Sequence, residues 1–104
     1  MNPESAPVFL PHRLLEITGG DTELFDDLMS EFRAHLPAYV GALRAAKDRA
    51  GWKAAAHRLK GAAQAIGAEA IGSIALLAEL SAPGDSALLS RLDAEVARFS
   101  GTFR

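Results

Sequence analysis

Of the histidines in the chain, His57 is the one whose neighbours could support chemistry. Lys53, His57, Lys60 and Gln64 recur at helical steps, beside a second, apolar row formed by Trp52, Ala56, Leu59, Ala63 and Ile66. The polar row is rotated by one residue, about 100°, from the apolar one, which predicts an imidazole at the margin between core and solvent. A histidine at such a margin is ordinarily a plain surface residue, and its surroundings decide otherwise here. Lys60 brings a flexible cation within a turn of the ring. Gly61 stands one turn beyond it on the same face, although a mid-helix Gly costs about 1 kcal/mol relative to Ala and this segment uses Ala freely. The missing side chain opens a flat approach to the ring. An exposed imidazole with an adjacent cation and a cleared approach is a sensible acceptor for an anion such as phosphate. His12, in the first short helix, and His35, beside Pro37, lack this support and read as solvated side chains. Asp26-Asp27 is a tempting pair, but adjacent helical residues point about 100° apart, so it reads as a solvated face.

The elements that must position His57 are helical. Ala and Leu are abundant while Val, Ile and Thr are sparse, and no useful period-2 alternation occurs, so an all-α protein is expected. Pro11 opens a short helix with Leu14, Leu15 and Ile17, closed before Gly19-Gly20. Asp21 then caps a long helix from about Thr22 to Ala50, striped by Phe25, Leu28, Phe32, Leu36, Tyr39, Leu43 and Ala46, kinked at Pro37 and ended by Gly51. The His57 helix runs from about Trp52 to Ile66, with Gly67 as its C′ residue. A further helix over about Glu69–Leu80 is apolar nearly all round, as for a well-buried helix. After the Ser81-Ala82-Pro83-Gly84 turn, Asp85 caps a last helix carrying Leu88, Leu92, Val96, Phe99 and Phe103. Short connections favour antiparallel neighbours, which gives an up-down-up-down four-helix bundle with a short N-terminal helix. Residues 1–9 read as a flexible arm and residues 10–104 as the bundle.

Composition narrows the function. A chain of 104 residues is one domain, and 49% hydrophobic with 23% charged residues is an ordinary globular balance. The net charge of −2 argues against nucleic-acid binding, which requires clustered Lys and Arg. With no Cys there is no disulfide or thiolate chemistry. No apolar run is long enough to span a bilayer, and Met1-Asn2-Pro3-Glu4-Ser5 lacks the basic start of a secretory leader. A cytoplasmic domain is expected, and Met1 leans toward a free-standing chain.

The stretch His57-Arg58-Leu59-Lys60-Gly61, followed by Gly67-Ala68, resembles the His-x-Leu-Lys-Gly signature of histidine phosphotransfer (HPt) domains, the four-helix-bundle phosphocarriers of phosphorelays. Gly19-Gly20-Asp21 is similar to the turn that follows the family's first short helix, and Leu24, Phe25, Leu28 and Phe32 to the spacing of its long helix. Glu79 stands where the family carries a Glu or Gln facing the active His. The resemblance runs from about Leu10 to the end.

It implies that His57 is the phosphoacceptor, attacking the aspartyl phosphate of a response-regulator receiver domain through its outward ring nitrogen. Glu79 would accept a hydrogen bond from the other ring N–H, orienting the imidazole, and Lys60 would stabilise charge on the phosphoryl group. Gly61 would admit the receiver closely. Gln64, Arg58 and Lys53 would contact the receiver or the phosphate, and Leu14, Ile17 and Phe25 would form an apolar docking area. Ala62 departs from the small hydroxyl residue the family often has after the signature Gly. No cofactor is implied, because the Mg²⁺ pocket belongs to the partner receiver, so the chain is expected to be a monomeric phosphotransfer intermediate and not an enzyme. Its partners would be receiver domains and a sensor or hybrid histidine kinase, with no nucleic acid and no membrane. A helical adaptor that docks receivers or a kinase without phosphorylation is the alternative. A metal-binding bundle is discounted, since no Glu-x-x-His pair occurs.

Overall fold

The computed structural model describes residues 19–102. The arm over 1–9, the short helix with Leu14 and Ile17, and Phe103 lie outside the described residues.

Four helices follow one another: α1 (Thr22–Ala45), α2 (Arg49–Ile66), α3 (Glu69–Glu79) and α4 (Ser86–Thr102). Three of the four starts carry an aspartate cap. Asp21 Oδ1 accepts the Leu24 N–H at 3.0 Å, Asp48 Oδ1 the Gly51 N–H at 2.6 Å, and Asp85 Oδ1 the Leu88 N–H at 3.1 Å. Each carboxylate satisfies a donor that the first helical turn leaves without a partner. At the far end of α2, Gly67 takes φ 81°, the left-handed conformation that glycine adopts without a Cβ penalty. Its N–H returns to the Gln64 carbonyl at 3.2 Å, and that of Ala68 to Ala63 at 2.8 Å.

The boundary between α1 and α2 differs from the sequence reading. Helix α1 stops at Ala45, Ala46 is extended, and Asp48 starts a new helix that continues through Gly51. Gly51 therefore belongs to the first turn of α2 and ends nothing. A Cβ on Gly51 would come within 3.0 Å of Asp48 Oδ1, so the small residue is what lets the capping carboxylate approach. Pro37 does not split α1, which continues through it. Pro37 lies on the exposed side, as does Arg33, whose carbonyl loses the helical donor.

Contacts between helices are antiparallel. Between α2 and α3, Trp52 meets Ala78, His57 meets Glu79, and Gln64 lies against Gly72. Between α1 and α4, the Phe32 and Phe99 rings meet edge-on at 5.4 Å, while Arg44 donates to Asp93 at 2.6 Å. The core is built from Phe32, Leu36 and Leu43, then Trp52, Ala56, Leu59 and Ala63, then Ile71, Ile74, Ala75 and Ala78, and finally Leu88, Leu92 and Phe99. Burying each large member contributes about 1.5–3 kcal/mol.

One further correction concerns α3, and α4 adds a feature the sequence reading did not address. Helix α3 is not buried all round: Leu76 is 46% exposed, and Leu80 just past its end is 77% exposed. Its Ile71, Ile74, Ala75 and Ala78 form the one face that meets the core. On α4, Glu95 is buried, and both its carboxylate oxygens accept from Nη1 of the Arg98 guanidinium at 2.8 Å. One turn of helix brings that pair together.

Candidate functional site

Small residues meet in the α2–α3 contact: Ala63 on α2 and Gly72 on α3 are both buried and face each other. At Gly72 an added Cβ would stand 3.4 Å from Gln64 Cγ and 3.7 Å from Ala63 Cβ. The sequence reading passed over Gly72; a helical Gly in phase with buried alanines was its signal.

This spacing brings three side chains together on the surface. His57 stands on the outer face of α2 with 73% of its side chain exposed, and its Nδ1 is 2.9 Å from Glu79 Oε1. Glu79 is the last residue of α3 and is only 12% exposed. Lys60, 19% exposed, places Nζ 3.0 Å from Oε1 and 3.2 Å from Oε2 of the same carboxylate. One carboxylate thus holds an imidazole and an ammonium at once. The sequence reading gave Lys60 to an incoming anion; in the structure its Nζ lies on Glu79.

Charge in the trio follows from these contacts. The hydrogen bond from Lys60 is the largest influence on Glu79. With the His57 bond and the electrostatic pull of Lys60 and His57, it holds the carboxyl below its ordinary 4.5, against the opposing push of partial burial. An ionised carboxylate only accepts hydrogen bonds, so the network assigns the ring proton to Nδ1, as donor to Glu79. Nε2 then carries the lone pair on a ring that is mostly open to water. Such an arrangement is an oriented nitrogen nucleophile, with a carboxylate behind it to balance positive charge on the ring.

The other candidate residues are more dispersed. Lys53, Arg58 and Gln64 are exposed on α2. Gly61 is exposed too, and a Cβ there would meet nothing within 4 Å. The chain's own packing therefore gives no reason for this glycine, although Gly41 and Gly101 are equally open. Phe25 is half-buried and packs against the core; Leu14 and Ile17 lie outside the described residues. His35 is exposed with its ring 6.5 Å from that of Tyr39, and Asp26 and Asp27 are exposed. Among the described residues no three His, Asp or Glu side chains gather as metal ligands, and no helix is long and apolar enough to cross a membrane.

Fold and site together define an antiparallel four-helix bundle that presents an oriented imidazole on a helix surface instead of in an enclosed pocket. The family model of the Hpt domain matches residues 23–102, and the chain belongs to that family. No curated protein and no solved structure matches it. Hpt domains are the histidine phosphocarriers of phosphorelays, carriers and not catalysts in themselves, whose partners include receiver domains and histidine kinases.

Proposed function

We propose that this chain accepts a phosphoryl group on His57 from the aspartyl phosphate of one receiver domain and passes it to the aspartate of another. The observation that supports this most is the Nδ1–Glu79 contact of 2.9 Å on a ring that is 73% exposed. It combines a fixed tautomer with open access.

In the forward step the Nε2 lone pair attacks phosphorus in line with the aspartyl oxygen. The N–P bond forms, the P–O bond breaks, and its electron pair leaves with the partner's carboxylate. The ring becomes cationic and keeps its Nδ1 proton, which Glu79 continues to accept. Lys60, one helical turn from His57, exchanges part of its bond to Glu79 for the arriving phosphoryl oxygens. The return step runs the same bonds backwards. Mg²⁺, supplied on the partner receiver, neutralises phosphoryl charge during transfer. Gly61 leaves the approach to Nε2 free for the partner's backbone, while Arg58, Lys53 and Gln64 flank it. The chain acts as a monomer in the cytoplasm, where receivers and kinase domains meet it.

The test is phosphoryl transfer from a phosphorylated receiver with Mg²⁺, followed by intact mass. Wild type should gain one phosphoryl group that is labile to acid and stable to alkali, and His57→Gln should gain none. A His57→Gln chain that still takes up phosphate would sink the proposal. Absence of any adduct, with His57→Gln binding receivers as well as wild type does, would point to a phosphorylation-independent adaptor.

A further inference from the structure

The site depends on where α3 ends. Glu79 is its final residue, and the last turn of a helix is where carbonyls lack partners and the backbone frays. The position is also electrostatically awkward, because a carboxylate there faces the negative end of the helix dipole. Something must hold this turn if Oε1 is to stay 2.9 Å from the ring of His57.

Two carbonyls of that turn are fully engaged. The Leu77 carbonyl accepts from Leu80 N–H at 3.1 Å and from Ser81 Oγ–H at 2.8 Å. The Ala78 carbonyl accepts from Ser81 N–H at 3.0 Å and from the Trp52 indole N–H at 2.6 Å. Three of these bonds are local to the turn. The fourth crosses from α2, from a side chain with 0% exposure. Trp52 and His57 lie on the same helix, one pointing into the core and one out. Helix α2 therefore grips the backbone next to Glu79 from the inside while offering His57 to the Glu79 carboxylate outside.

We infer that Trp52 is a positioning residue for the phosphoacceptor: its indole N–H fixes the end of α3 so that Glu79 stays in register with His57 and Lys60. The inference rests on the phosphocarrier reading for its kinetic consequence, but its structural half does not. A tryptophan serving only to fill the core would contribute its ring area and no directed bond.

The chain has a single tryptophan, so it can be replaced throughout by 3-benzothienylalanine, which keeps the ring shape and puts sulfur in place of the N–H. The tautomer of His57 is read from its ring ¹⁵N shifts at a pH where the ring is neutral, assigned against His57→Gln. Phe32→Leu, in the α1–α4 contact, serves as a destabilised control. We expect the analogue to lose part of the Nδ1–H preference and to slow transfer from a phosphorylated receiver by about tenfold, the scale of a misplaced catalytic group. Phe32→Leu should change neither. Unchanged tautomer and rate in the analogue would overturn the inference. If wild type takes no phosphate at all, the functional reading fails while the tautomer still decides the role of Trp52. Should the analogue not fold, the scalar coupling across the hydrogen bond between the indole ¹⁵N of Trp52 and the ¹³C carbonyl of Ala78 in the native chain decides instead. A measurable coupling supports the brace, and its absence refutes it.

Discussion

Glu79 and Glu95 are both drawn out of water, with side chains 12% and 5% exposed, but they are neutralised in opposite ways. Glu95 finds Arg98 one turn along its own helix, both oxygens on one guanidinium. That pair forms as soon as α4 does. Among the described residues Glu79 has donors only across a helix boundary, and they are of two kinds, a lysine whose side chain is mostly covered along its stem and an imidazole that is mostly exposed. It forms only when α2 and α3 dock. A local pair steadies one helix, whereas a shared, non-local one reports the docking of two helices to a group on the surface.

The sharpest break of this comparison is Glu79→Ala. Removing the carboxylate frees the ring to choose its tautomer, so phosphoryl transfer should fall about 10–100-fold, the usual cost of losing a partner that orients a functional histidine. Stopped-flow transfer from a phosphorylated receiver measures it. Denaturant melts should move by no more than about 1 kcal/mol, since His57 is open to water and the flexible Lys60 can turn toward it.

Arg98→Met is the converse. It leaves Glu95 buried without the guanidinium that holds both its oxygens, and should cost about 1–2 kcal/mol in a urea melt, a range reduced for the half-exposed guanidinium. Transfer through His57 should stay within about twofold of wild type. A loss of transfer larger than the loss of stability would mean the two carboxylates are coupled and the contrast fails.

The smallest effect is that of pH. The folded-state pKa of Glu79 lies below 4.5, so its contribution to stability is complete above that value and fades as the pH falls through the folded one. The stability gap between wild type and Glu79→Gln should thus be constant near neutrality and shrink in acid. A gap that widens on acidification would mean the carboxyl pKa is raised and the Lys60 contact is not formed in solution.

The sequence made the helices legible where a side chain speaks for its own turn. Asp21, Asp85 and Gly67 cap as their types suggest, and the Trp52–Ile66 row is buried throughout. It misled at Gly51, because a glycine reads as a stop unless the carboxylate three residues earlier is weighed as a start. Tertiary facts left fainter traces. Composition made α3 look buried all round, whereas Leu76 is exposed because only one side of so short a helix meets the bundle. The burial of Glu95 was invisible for the same reason, and the Lys60–Glu79 bond joins residues whose facing depends on how two helices dock. His57 itself was legible from its local offsets, and Glu79 only through the family resemblance.

The small side chains between α2 and α3 carry a consequence for how this protein can vary. A single methyl group on Gly72 would meet Gln64 Cγ and Ala63 Cβ at ordinary contact distances and can be carried, whereas a longer side chain at this buried position would have to part the two helices. Bulk added there would move a carboxylate it never touches. A library of variants selected for signalling should therefore accept Gly72→Ala and reject Gly72→Leu.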